Sequence, residues 1–165
     1  MALDGTFSIF RIDADADTET TAQGYSPAQV VEFNDGATRP DSRSSIETWT
    51  LKFTEDISLH PNPNRHLSQI QDGKLGTQVL TIKGYFSTPG SAQGIAKFMN
   101  WMTQDKTNAS LPFGRFGVRS SNISQIDLTP SATIGYILQD FEVIDDEDVE
   151  NKASFSAVLY RNGSV

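Results

Sequence analysis

The stretch TQVLTIKGYFSTPGSAQGIAKFMNWMTQ (residues 77–104) holds both kinds of secondary structure that organise this chain. Its first ten residues alternate with the period of two expected of a strand. Leu80, Ile82 and Phe86 fall on one face, and Val79, Thr81 and Tyr85 on the other. Apolar groups on both faces predict a strand covered from both sides. Pro89-Gly90 then breaks the strand, and Ser91 can cap a helix by accepting a first-turn N–H. Ile95, Phe98, Met99 and Met102 follow at i, i+3, i+4 and i+7, one apolar stripe of a helix over about residues 91–104. Gly94 costs such a helix about 1 kcal/mol relative to Ala, and four turns are too short to stand alone. Tertiary packing must therefore hold it, and the stripe is expected to act as a lid on one sheet face. Trp101 lies off that stripe and is the helix residue expected to touch a neighbour.

Working outward, most other ordered segments read as strand. These are Thr6–Ile12, Gln29–Asn34, Ile46–Phe53 with a continuation at Ile57 and Leu59, the glycine-punctuated Leu111–Arg119, and a closing hairpin from Thr133–Ile144 and Ala153–Tyr160. In Ile46–Phe53, Trp49, Leu51 and Phe53 alternate with Thr48, Thr50 and Lys52. Three polar connections separate them: DADADTETTAQG (13–24), DGATRPDSRSS (35–45) and HPNPNRHLSQIQDGKLG (60–76). Connections this long in a compact domain are usually functional or disordered. The count, about seven strands and one helix, predicts a mainly β fold. We expect a single domain over residues 1–165, a β-sandwich or partly closed barrel with one flanking helix.

Composition narrows function by exclusion. The chain has no cysteine, which rules out disulfides, thiolate metal sites and thiol nucleophiles and fits synthesis in a reducing compartment. No apolar run is long enough to span a bilayer, and the N-terminal residues lack a basic region ahead of an apolar one, so neither a membrane span nor a signal peptide is expected. The formal charge of −8 argues against a general phosphate-binding surface.

The chemistry-bearing residues do not assemble into a motif. Asp13, Asp15 and Asp17 begin like a calcium loop, but Thr18 stands where glycine is needed and Gly24 where a bidentate glutamate is needed. His60 and His66 have no third ligand at zinc spacing. PFGRFG (residues 112–117) lacks the ending of a phosphate loop, and there is no G-x-S-x-G nucleophile turn. No catalytic residue, metal or cofactor is expected.

VLTIKGYF followed by SAQGIAKFMNWM, together with GYILQDFEVIDDEDVENKASFSAVLYRNG, resembles the strand-plus-helix centre and closing hairpin of the tail-tube fold of long-tailed bacteriophages. The resemblance covers about a third of the chain. It implies a virion structural subunit, assembled in a host cytoplasm, that forms stacked and commonly sixfold rings with itself. It also implies contacts with sheath, tape-measure and baseplate proteins, and a lumen through which DNA passes without specific binding. On this reading the connections at 35–45 and 60–76 supply contacts between subunits, through Arg39, Asp41, Arg43, His60, Asn64, Arg65 and His66, with Trp101 added from the helix. The acidic run Asp145, Asp146, Glu147 and Asp148 belongs to a lumen or an exposed hairpin loop. A tube-to-baseplate adaptor, a tail terminator of the same fold, or a monomeric β-sandwich binding module with Trp49 and Trp101 exposed are the alternatives.

Overall fold

The computed structural model describes residues 6–26, 28–34, 44–53, 57–60, 69–72, 78–87, 91–103, 115–121, 124–145 and 152–163. The strands in chain order are β1 (Phe7–Arg11), β2 (Val30–Phe33), β3 (Ser45–Phe53), β4 (Ile57–His60), β5 (Gln69–Asp72), β6 (Gln78–Ser87), β7 (Phe116–Ser120), β8 (Ile134–Asp145) and β9 (Lys152–Gly163). Two α-helices accompany them, α1 (Glu19–Gln23) and α2 (Ser91–Thr103). Seven strands form one antiparallel sheet in the order β2-β1-β7-β8-β9-β6-β3, and β4 and β5 pair separately. The expected mainly β fold with a helix against it is what the chain adopts.

The sheet folds on itself at β7 and β8, which share a single register pair, Phe116 with Tyr136. The fold divides it into a three-stranded half, β2-β1-β7, and a four-stranded half, β8-β9-β6-β3, with one core between them. Phe33 of β2 lies 5.4 Å from Phe155 of β9 and 5.7 Å from Phe86 of β6, ring centre to ring centre. These contacts span the sandwich, and each such aromatic pair adds about 0.5–1.5 kcal/mol beyond the burial of its area. The far edges, β2 and β3, also meet at one corner. There the Asn34 backbone N–H donates to the Ser44 carbonyl at 2.9 Å, and the Asn34 side-chain oxygen accepts from Ile46 N at 3.2 Å. Asn34 has φ 65°, a left-handed conformation that asparagine tolerates better than most residues.

Helix α2 seals the mouth of the sandwich, but through a different stripe from the one its hydropathy predicts. Phe98 and Trp101 are fully buried, whereas Met99 is 58% exposed. Ile95 and Met102 are partly buried against the core, as expected of a lid. The buried line runs through Gly94, Phe98 and Trp101, rotated by roughly 80° from the expected one at 3.6 residues per turn. The reason is local. A Cβ on Gly94 would lie 2.6 Å from the Phe86 ring, so the glycine lets the helix press onto β6 at that point. Phe98 then stacks on Phe141 at 4.6 Å, and Trp101 meets Phe116 edge-on at 5.4 Å. Trp101 is therefore a core residue and not a surface contact. Its indole N–H donates to Gln29 Oε1 at 2.6 Å, and Lys97 Nζ donates to the Val30 carbonyl at 2.8 Å. Both bonds fasten α2 to the start of β2.

The polar segment 13–24, expected to be loop throughout, contains α1. Thr18 caps it, and Thr21 returns the contact to the Thr18 backbone, so each hydroxyl satisfies one otherwise unpaired amide. A helix of five residues is too short to show a hydrophobic period, which is why the sequence pattern does not reveal it. The second departure is β5, whose residues QIQD lie in a segment read as a connection.

Candidate functional site

The two halves of the sheet differ in what lies on their outer surfaces. Behind the three-stranded half, Phe10, Ile12, Ala22 and Val30 form a second small core with Tyr25 against it. Helix α1 closes this core and is clamped down by Glu19, which accepts from Ser8 Oγ at 2.7 Å and pairs with Arg119 Nε at 3.1 Å. Burial, reinforced by the hydrogen bond to Asp17, raises the Tyr25 pKa above the ordinary tyrosine range.

The four-stranded half has nothing comparable among the described residues. Its outward side chains line up in rows across β6, β9 and β8: Val79–Tyr160–Ile137, Thr81–Val158–Asp140, Lys83–Ser156–Glu142 and Tyr85–Ser154–Ile144. Val79, Thr81, Tyr85, Val158, Tyr160 and Ile137 are only half-buried, and Lys83, Asp140, Glu142, Ser154 and Ile144 are exposed. The sequence pattern of β6 predicts cover on both faces; on this one no described element lies over the sheet. A groove of about 300 Å³ crosses it, with Ser154 and Ser156 between Glu47 and Lys83 on one side and Glu142 and Ile144 on the other. Small side chains on the central strand flanked by longer ones produce the trough. This surface is the chain's candidate functional site. It presents apolar area and mixed charge without a nucleophile–base pair.

The three aspartates of the calcium-like segment diverge. Asp13 pairs with Arg11 at 2.6 Å, Asp15 accepts from Ala132 N at 3.1 Å, and Asp17 accepts from the Tyr25 hydroxyl. Among the described residues no group of three or more His, Asp or Glu side chains could hold a metal ion. Of the residues expected at subunit contacts, His60 ends β4 in register with Gln69. Arg39, Asp41, Arg43, Asn64, Arg65 and His66 lie outside the described residues. Asp145 ends β8 opposite Ala153, and Asp146, Glu147 and Asp148 lie outside the described residues. The exposed tryptophans of a binding module are not present, because Trp101 is buried and Trp49 packs partly against the core. Phe53, expected to share Trp49's inward face as a core residue, is 64% exposed at the end of β3. The bare face itself was missed because alternation records which residues share a face and not whether anything covers it.

Tyr136 joins the halves and is almost fully buried. Burial raises its pKa above the usual tyrosine range, partly offset by the positive charge of Arg161. Among the described residues no helix is long and apolar enough to cross a membrane. No protein-family model matches this chain, and a search of curated proteins finds no match.

Proposed function

We propose that this chain is a structural subunit of a phage-type tail tube, assembling with itself into stacked rings that form a conduit. The observation that carries this reading is the outer edge of β3, a nine-residue strand that among the described residues has a partner on one side only. An unpaired edge is a template for another strand, and pairing it with a different edge of the next copy is heterologous, closing into a ring when the rotation permits. The bulge between Ile46 and Thr48 limits pairing at one end of β3 and leaves Thr48–Phe53 as the usable edge. The long β8–β9 hairpin and the helix sealing the sandwich accord with the architecture that the resemblance implies. Sheath, tape-measure and baseplate proteins are the partners of this role, and DNA is its cargo.

Purified protein is expected to form rings or tubes visible by negative-stain electron microscopy, with a discrete oligomer mass by native mass spectrometry. Monomers alone across a wide concentration range would overturn the proposal. Replacing the exposed Thr50 with lysine would set a charge beside that edge, a device that blocks strand pairing, and test whether the edge carries the assembly.

A further inference from the structure

The geometry points to a second, separate self-association: two copies of this chain pair face to face through the bare surface of β6, β9 and β8, about a two-fold axis running parallel to β9. Such an axis keeps each row level with itself and exchanges β6 of one copy with β8 of the other. The four rows then pair consistently. Val79 meets the second copy's Ile137, and Tyr160 meets Tyr160. Thr81 meets Asp140, to which its hydroxyl can donate, and Val158 meets Val158. Lys83 meets Glu142, and Tyr85 covers Ile144, which is 58% exposed in the single chain.

The charge row decides the arrangement. Lys83 and Glu142 flank Ser156 on neighbouring strands, which puts them about 9–10 Å apart within one chain. Neither side chain has an ion-pair partner in the described structure. Across the two-fold each gains one, twice over, and the two crossing pairs fill the groove above Ser154 and Ser156. An axis perpendicular to the strands would instead set Asp140 against Asp140 and Lys83 against Val79. The first arrangement is self-complementary and the second is not.

The face buries roughly 400–500 Å² per copy, or about 1,000 Å² in all, the low end of specific interfaces. An interface of this size belongs to the weak, transient class, so association is expected only at roughly micromolar concentrations or above. The pairing uses a sheet face and the ring proposed above uses a sheet edge, so neither depends on the other.

The test is sedimentation equilibrium on the full chain and on the variants Lys83→Glu, Glu142→Lys and the double variant. Both substitutions lie on exposed positions, and circular dichroism checks that the fold is kept. Each single variant is expected to weaken dimerisation by about tenfold or more, since both symmetry-related pairs turn repulsive. The double variant is expected to restore it to within about threefold. A wild-type chain that stays monomeric to about 1 mM, single variants that dimerise normally, or a double variant that fails to recover would each overturn the proposal. Rings that form with no dimer along the way would also overturn it and leave the ring reading standing.

Discussion

The outer surfaces of β1 and β9 carry similar residues and meet different fates. On β1, Ser8 and Phe10 point away from the main core and are still buried, because α1 lies over them. On β9, Ser156, Val158 and Tyr160 point away from the same core and stay half-exposed. The difference comes from a five-residue helix held by one glutamate, and not from the strands. A sheet face of this composition is stable either way. Where no described element lies over the sheet, the surface is a candidate for contact with another molecule.

That comparison can be broken or sharpened by mutation, with chemical denaturation as the readout. The largest effect is expected from Phe10→Ala beneath α1, about 3–5 kcal/mol of lost stability. Gly117→Ala should follow at about 1–3 kcal/mol, since its Cβ would meet the Phe10 ring at 2.2 Å and the Leu128 carbonyl at 2.7 Å, a contact only overpacking can accommodate. Glu19→Ala removes the clamp on α1 and leaves buried Ser8 without its acceptor, a loss of about 1–2 kcal/mol. Hydrogen exchange in that variant should rise at residues 19–23 and not in β9.

Tyr136→Phe should change little at neutral pH, since its hydroxyl reaches the Ile126 carbonyl only at 3.5 Å. Its effect belongs to alkaline solution. A folded-state pKa above the unfolded one means stability fully present below the ordinary tyrosine range and lost as pH rises through the folded pKa. The variant should flatten that alkaline decline, and a decline unchanged by it would assign the effect elsewhere. Smallest of all is Val158→Thr on the bare face, expected within about 0.5 kcal/mol. A large loss there would mean that the face is covered after all.

Much of the fold can be read from residue order. The alternation in β3 and β6, the Pro-Gly break before α2 and the closing hairpin each follow from a local period strong enough to survive tertiary packing. What escaped notice did so for identifiable reasons. Helix α1 rests on threonine caps rather than an apolar stripe. The orientation of α2 was set by Gly94, whose value lies in the side chain it lacks, so a hydropathy count favoured Met99 over Trp101. The candidate site was half legible. The apolar outer residues of β6 were identified as a face, but their exposure depends on the absence of a neighbour, which no residue of β6 encodes.

The corner at Asn34 and Ser44 has a practical consequence for protein engineering. The two residues are held one hydrogen bond apart, so both ends of the intervening segment lie at one point of the body. The entropy of closing such an excursion grows only logarithmically with its length, about 0.6 kcal/mol for each doubling. A guest sequence, or a whole domain whose termini lie close together, can therefore be spliced between residues 34 and 44 at small thermodynamic cost.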